Sequence, residues 1–348
     1  MSRSTSVMPA SGAGYAWRNG YLLVAFTALA WGINFPIMKI GLAYSPPLLY
    51  TTLRMVLGTL TMFLIARMMG ILRMPHRADI PVVFSVGILQ NMGFITLVTF
   101  GMQYMPAGRA AILAYTSPIW VVPAAALFLG ERLTLFRALG AGFGLAGLLA
   151  IFNPLTVDWH AEGMVTGGGL IVLATIVWTA GLIHVRRHQW RGDVLSLIPW
   201  QLLSSLLLLV PLALFVEDLA TIRWEPAFLV NIFFSGAIAS GLCVAAQVGA
   251  IRSLPAVTMS LSSAAVPAVG LLSSAVVLNE QPSGSDIFGF CLVGLGILVV
   301  GLADRRQAQR CVADPVELLD GSLADLALHQ RVLSLGETLA SAASKLHA

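Results

Sequence analysis

Two basic side chains interrupt stretches of sequence that otherwise suit a lipid environment. Lys39 ends the stretch WGINFPIMK, and Arg54 ends the stretch PPLLYTTLR. Charged groups inside apolar spans are costly, so they usually face protein or a water-filled cavity and often contact a substrate. For Lys39 the alternatives are a substrate contact and a side chain that extends to the membrane surface. For Arg54 they are a contact to a substrate carboxylate and a structural contact to nearby carbonyl groups.

The stretch around Asn34 combines polar and aromatic residues on one face. Trp31, Asn34, Phe35 and Met38 follow the i, i+3, i+4, i+7 spacing of a helix. Pro36 lacks the backbone donor that would bond one turn earlier, so we expect a helix kink there. The pattern favours a cavity-facing helix with substrate contacts from Trp31, Asn34 and Phe35. An aromatic packing stripe is the alternative.

Polar and aromatic residues in other apolar stretches extend this candidate substrate site. They are Gln90, Asn91, Tyr115, Trp178, His184, Gln247 and Ser263. Two of these stretches contain a proline, Pro118 or Pro267, where we expect further kinks. Each polar group could instead hydrogen-bond a neighbouring helix, which contributes about 0.6 kcal/mol. His184 could carry a proton or be a hydrogen-bonded structural residue.

The sequence predicts no catalytic residue, no metal site and no cofactor. The three cysteines, Cys243, Cys291 and Cys311, lack the spacing of metal ligands. The glycines from 163 to 169 are not followed by the GK[ST] of a phosphate-binding loop. A membrane-embedded enzyme would need clustered His, Asp, Glu and Ser residues. The loop acids are scattered, apart from Asp158 beside His160.

The composition indicates an integral membrane protein. Of the 348 residues, 57% are hydrophobic and 10% are charged, whereas soluble domains carry about 25% charged residues. Runs of about 20 apolar residues match the hydrocarbon thickness of a bilayer. The net charge of +4 is better explained by basic loops on the cytoplasmic side than by nucleic-acid binding.

We predict an all-α integral membrane fold with ten transmembrane helices, in two inverted-topology repeats of five. The expected spans are 20–42, 47–70, 80–103, 106–129, 135–153, 164–185, 194–216, 227–250, 254–278 and 285–302. Residues 1–19 form a predicted cytoplasmic N-terminal tail, and the charged segment 303–348 a C-terminal one. The first repeat is expected over 20–153 and the second over 154–302.

Loop charges predict the orientation. With the N-terminus inside, most loop arginines fall on the cytoplasmic side, for example Arg73, Arg137 and Arg187. The opposite loops hold acids such as Glu217 and Glu225. Both termini are therefore expected in the cytoplasm.

The repeat is visible at a constant offset of 149 residues. This offset aligns LPAVTMSLSSAAVPAVGLLSSAVVLNE with MPAGRAAILAYTSPIWVVPAAALFLGE, including Pro118 with Pro267 and Glu131 with Glu280. At an offset of 147, Trp31 falls on Trp178 and Lys39 on Arg186. Five spans per half give the second half the opposite topology, an arrangement suited to alternating access around a central site. A duplicated scaffold without transport is the alternative.

The chain resembles the drug/metabolite transporter superfamily in its EamA-type branch, over residues 20–302. The resemblance is carried by the two repeated segments above, together with the stretches WGINFPIMKIGL and PPLLYTTLR. The resemblance implies ten helices and a carrier of amino acids, other metabolites or drugs. We expect a secondary or facilitative exporter of amino acids or related metabolites in the inner or plasma membrane, with a small-molecule substrate, surrounding lipid, and a monomeric or weakly dimeric state. Efflux of drug-like or amphipathic compounds is the alternative, which Trp31, Phe94 and Trp178 would suit.

Overall fold

The computed structural model describes residues 20–131, 133–152, 163–254 and 256–313. Ten helical segments follow one another in this part of the chain: α1 (Gly20–Gly41), α2 (Pro47–Met68), α3 (Arg77–Gly101), α4 (Ala107–Leu129), α5 (Leu135–Phe152), α6 (Met164–Arg187), α7 (Val194–Val216), α8 (Pro226–Ser253), α9 (Ala256–Leu278) and α10 (Gly284–Ala313). The helices up to Val300 belong to one compact unit. Of the second unit, Gly301–Ala348, the described part is the end of α10.

The helices have the length and composition of membrane spans. Eight are long and apolar enough to cross a bilayer, and α5 and α9 contain shorter apolar stretches, Leu135–Ile151 and Ala264–Leu278. Large apolar side chains such as Leu64, Phe215 and Val276 are exposed, as expected where lipid replaces water as the solvent. The predicted all-α membrane fold is confirmed, and the chain is a multi-pass membrane protein.

Two ends of the helix assembly can be recognised from hydrogen bonds that involve its loops. At one, here called the Gly41 end, the backbone N–H of Arg223, just before α8, donates to Tyr44 O at 2.9 Å. At the other, the Gly20 end, Trp200 Nε1 donates to Arg73 O at 2.8 Å. The end of α1 thus meets the start of α8, while the loop after α2 meets α7. These contacts fit two halves of opposite topology.

Two helices contain a π-helical segment near the middle, and the repeat relates the two segments. Val86–Phe94 in α3 and Phe234–Leu242 in α8 lie 148 residues apart. Each holds a glycine packed against the backbone of the other half. A Cβ on Gly87 would lie 2.5 Å from Gln201 O, and one on Gly236 would lie 2.8 Å from Arg54 O. Such segments often occur at functional sites.

The last helix of each repeat packs against its counterpart through glycines. A Cβ on Gly296 of α10 would lie 2.6 Å from Gly140 O, and one on Gly147 of α5 would lie 2.8 Å from Gly289 O. The 149-residue offset exchanges these two contacts, so they are symmetric. The Gly140 and Gly144 motif is therefore in contact within the chain, Gly144 also facing Ile119.

Candidate functional site

The candidate site is a polar and aromatic region in the middle of the helix assembly, and α1 contributes one side of it. The indole Nε1 of Trp31 donates to Ala239 O, in the π-helical segment of α8, at 2.8 Å. Asn34 is buried, and its Oδ1 has no hydrogen-bond partner among the described residues. Phe35 is buried in the core. The predicted face of α1 therefore turns towards the second repeat.

Arg54 lies about 10 Å along α2 from its first residue and is 3% exposed. Its Nη2 and Nε donate to Ser240 Oγ at 3.0 and 3.3 Å, and its Nη1 contacts Met38 Sδ at 2.8 Å. Within the described part of the chain, no carboxylate forms an ion pair with this guanidinium. A buried cation bound only to a hydroxyl and a thioether lacks the negative partner that usually compensates its desolvation.

The Arg54 region contains a second hydrogen-bond chain that ties α1, α2 and α8 together. Tyr50 Oη donates to Asn231 Oδ1 at 2.9 Å, and Asn231 Nδ2 donates to Ile37 O at 2.6 Å. Both side chains are buried. The site residues predicted from the sequence do not include Tyr50, Asn231 or Ser240. A polar residue in an apolar span was the available signal, but it is also typical of simple helix packing.

Lys39 lies at the Gly41 end, where its ammonium group meets the turn between α3 and α4. Nζ donates to the carbonyl oxygens of Met102, Gln103 (3.4 Å) and Met105 (3.1 Å). These carbonyls follow the end of α3 and carry part of the negative end of the helix dipole. The structure thus gives Lys39 a set of backbone partners within its own repeat.

Helices α3 and α6 bring several predicted site residues together. Gln90 Nε2 donates weakly to Trp178 O at 3.4 Å, and Gln90 packs against Gly181. The ring of Trp178 lies 5.0 Å from that of Phe94, at an angle of 58°. Asn91 is half-buried in the same π-helical segment. This group lines the contact between the two repeats.

The remaining predicted residues are more dispersed. Gln247 Oε1 accepts a hydrogen bond from Thr27 Oγ1 at 3.2 Å, between α8 and α1. His184 is half-buried near the end of α6. Tyr115 is half-buried and packs against the core. The side chain of Ser263 lies outside the described residues, as do Asp158 and His160.

The three prolines have different surroundings. Pro36 and Pro267 lie inside the continuous helices α1 and α9. In α4, by contrast, the first helix is Ala107–Ala114 and Pro118 begins a second one, Pro118–Leu129. At the first position of a helix, the ring of Pro118 fixes a φ angle that suits the helix. It also removes a backbone N–H that would have no partner within the helix.

Carboxylates at the helix ends carry interactions that the sequence did not reveal. Glu217 accepts hydrogen bonds from the backbone of Leu48 and Leu49 at 3.1 and 2.8 Å. Asp286 forms a two-point ion pair with Arg109, with distances of 2.8 and 3.1 Å. The sequence around a loop carboxylate does not indicate which residues, distant in the chain, this carboxylate will bind. Among the described residues, no group of three His, Cys, Asp or Glu residues could hold a metal ion.

The family of the chain follows from comparison with known proteins. A model of the EamA-like transporter family matches residues 18–153 and again 165–302. The chain belongs to the EamA-like transporter family. The double match corresponds to two copies of one unit, in agreement with the repeat and with the predicted resemblance. A solved crystal structure is similar in fold, with a TM-score of 0.58 and 21% identity over 83% of this chain and 98% of that chain.

EamA-like relatives have been named as transporters. An uncharacterized transporter, YoaV, of Bacillus subtilis is 24% identical over 78% of this chain and 92% of its own length. A probable amino-acid metabolite efflux pump of Salmonella typhimurium is 27% identical over 84% and 98%. A probable terminal-alkyne amino-acid exporter of Streptantibioticus cattleyicolor is 25% identical over 82% and 95%. The chain is a membrane transporter, and these names indicate transport rather than catalysis.

Proposed function

We propose that this transporter exports amino acids or related small metabolites by alternating access, driven by a gradient and not directly by ATP. The observation that carries the proposal is the buried guanidinium of Arg54, which has no carboxylate partner among the described residues. Carboxylates are preferred partners of arginine because two parallel hydrogen bonds can form. Two relatives whose names mention amino acids support the same substrate class.

Asn34 supplies a complementary group for such a substrate. It lies one helical turn before Met38, which contacts Arg54, and its amide oxygen is buried without a partner among the described residues. A buried acceptor without a donor costs about 1–3 kcal/mol. A substrate ammonium group would satisfy this oxygen while the substrate carboxylate binds Arg54.

The two repeats support alternating access as the mode of transport. Inverted repeats of equal fold can exchange their conformations, which opens a central site to one side and then to the other. The loops at the Gly20 end contain an excess of arginine, which supports an orientation with this end and both termini in the cytoplasm. The membrane is then the inner or plasma membrane of the cell.

Counterflow in proteoliposomes tests the substrate class. Vesicles are loaded with a mixture of amino acids and related metabolites, and mass spectrometry records which compounds exchange faster than in protein-free vesicles. We expect exchange of compounds that carry a carboxylate. Folded protein that exchanges none of these compounds contradicts the proposal and favours the alternative cargo, drug-like or amphipathic molecules. The Phe94 and Trp178 ring pair is the observation that favours this alternative.

Arg54→Gln tests the proposed contact. The variant keeps a hydrogen-bonding side chain but loses the charge, so we expect counterflow of carboxylates to fall by at least about tenfold, the effect of losing a charge-assisted hydrogen bond of roughly 1.5–3 kcal/mol. Size-exclusion chromatography reports whether the variant folds. Arg223→Gln is the control, because it removes the same charge from an exposed loop side chain outside the candidate site. Unchanged counterflow in folded Arg54→Gln would assign Arg54 to structure alone.

A further inference from the structure

The carboxylate of Glu280, after α9, caps the start of α4 in the other repeat. Its Oε1 accepts from the backbone N–H of Ala107 at 2.7 Å, and its Oε2 accepts from that of Gly108 at 2.9 Å. These donors have no partner within α4 because they lie in its first turn. The negative charge also interacts favourably with the positive end of the helix dipole. Glu280 therefore holds the two repeats together at the Gly41 end.

Its repeat counterpart, Glu131, binds different groups. Glu131 accepts from Arg137 Nη1 at 2.8 Å and from Arg186 Nη1 at 3.5 Å. The offset that equates Glu131 with Glu280 also equates the sequence MPAG, which begins α4, with LPAV, which begins α9. The backbone N–H groups of Ala256 and Val257 are thus the sequence equivalents of the donors that Glu280 binds. The two acids of one repeat pair have different partners.

Two further acids join the repeats, one at each end of the helix assembly. Glu217 binds backbone N–H groups at the start of α2, at the Gly41 end. Asp79, at the Gly20 end, accepts from the backbone of Arg191 and Gly192 just before α7, at 3.1 and 2.8 Å. Glu217 thus caps the start of α2, whereas Asp79 binds the loop that leads into α7. Carboxylates therefore bind backbone N–H groups of the other repeat at both ends, whereas the described partners of Glu131 are arginine side chains and not the start of α9.

The same two helices differ in continuity. In α4 the helix is interrupted between Ala114 and Pro118, whereas α9 continues through the equivalent Pro267 as one helix, Ala256–Leu278. The helix whose start is capped by a carboxylate is thus the interrupted one. Two independent differences, a cap and a break, distinguish one member of the α4 and α9 pair from the other.

We propose that Glu280 and Glu131 are alternating latches, each of which caps the start of the other repeat's helix in one of the two states. In the observed state Glu280 closes the Gly41 end. In the opposite state Glu131 binds the backbone N–H groups of Ala256 and Val257 and closes the Gly20 end. The proposal rests on alternating access as the mode of transport and adds the groups that hold each end closed.

A partner for the released acid is present at each end. Glu131 now binds Arg186, and the 147-residue offset equates Arg186 with Lys39. Lys39 Nζ donates to Met105 O, two residues before Ala107, whose backbone N–H Glu280 binds. Glu280 therefore binds Lys39 when it leaves α4, while α4 becomes continuous and α9 breaks before Pro267. In each of the two states, one of these two carboxylates caps a helix start and the other binds a cation.

Hydrogen–deuterium exchange of the full chain in lipid nanodiscs, without substrate, tests the latch. In Glu280→Gln we expect amide exchange in the segment 106–114 to rise about fivefold, the effect of a lost helix cap. We also expect exchange in the segment 256–264 to fall, because the opposite state gains population. Adding Glu131→Gln to this variant is expected to reverse the fall at 256–264, since the second cap is then weakened too.

Glu217→Gln is the matched control, because it removes a similar carboxylate cap from another helix start, that of α2, at the same end of the assembly. We expect faster exchange at the start of α2 and no change at 256–264. Unchanged or faster exchange at 256–264 in Glu280→Gln would overturn the latch and leave Glu280 as a static cap. Counterflow with the unsubstituted protein is measured separately, so a failure of the latch and a failure of the proposed transport function give different results.

Discussion

At the scale of single residues, the two basic side chains that interrupt the apolar sequence have different surroundings. Lys39 is held by three backbone carbonyls at one end of the assembly. Arg54 is buried and bound to a hydroxyl and a thioether. A cation whose partners are helix-end carbonyls is compensated by the protein itself, whereas a cation without an acid is suited to an anionic ligand.

Replacing Lys39 with methionine separates a structural role from a substrate contact. Lys39→Met leaves the carbonyls of Met102 and Met105 without this donor, so we expect the free energy of unfolding to fall by about 1–3 kcal/mol. Thermal unfolding in detergent measures the change. In Arg223→Gln, which removes an exposed ion pair, we expect a change below about 1 kcal/mol. An unaltered melting temperature together with lost counterflow would instead make Lys39 a substrate contact.

At the scale of helices, small residues decide how closely two elements approach. The symmetric contacts of Gly140 with Gly296 and of Gly147 with Gly289 bring the backbones of α5 and α10 together. In lipid, where the hydrophobic effect does not drive helices together, such close packing is a main source of association energy. The π-helical segments of α3 and α8 place Gly87 and Gly236 against α7 and α2 in the same way.

A pair of substitutions on one helix tests this packing. In Gly296→Ala the new Cβ would lie 2.6 Å from Gly140 O and 2.9 Å from Gly144 N. Because both are backbone atoms, α5 and α10 must separate, and we expect a loss of about 1–3 kcal/mol in stability. Gly294 lies two residues earlier with no atom within 4 Å, so Gly294→Ala is expected to be neutral or to stabilise by up to about 1 kcal/mol. Thermal unfolding of both variants is compared, and equal melting temperatures would contradict the packing.

At the scale of the whole molecule, the two repeats are related but not identical in conformation. Helices α4 and α9 differ in both cap and continuity. A transporter built from inverted repeats must hold its halves in different conformations, because identical halves would be open, or closed, at both ends together. This asymmetry is what the proposed alternating access requires of two inverted repeats.

Orientation is a prediction for the whole molecule. With the three cysteines replaced by serine, a single cysteine is placed at Ala220, exposed at the Gly41 end, or at Met74, exposed at the Gly20 end. We expect a membrane-impermeant maleimide to label Ala220→Cys in intact cells and Met74→Cys only after permeabilisation, because arginine-rich loops stay in the cytoplasm. The reverse pattern would place both termini outside.

The sequence by itself determined the class, the ten spans and the repeat. Hydrophobic run length and charge content depend on the solvent that the chain faces, and a constant offset of 149 residues between Pro118 and Pro267 is a property of the sequence alone. Helical spacing also predicted that Trp31 and Asn34 share one face of α1. That this face lines a substrate cavity stays a prediction. In the structure Trp31 contacts the second repeat, and Asn34 is buried.

Only the tertiary structure decided which polar groups meet. Glu217 lies 168 residues from Leu49 and Glu280 lies 173 from Ala107, and no local pattern encodes such pairs. The same holds for Ser240 with Arg54 and Asn231 with Tyr50. Pro118 and Pro267 occupy equivalent positions in the two repeats. The helix is interrupted before Pro118 but continues through Pro267. The local position of a proline thus does not determine whether its helix continues, and the difference became visible only in the folded protein.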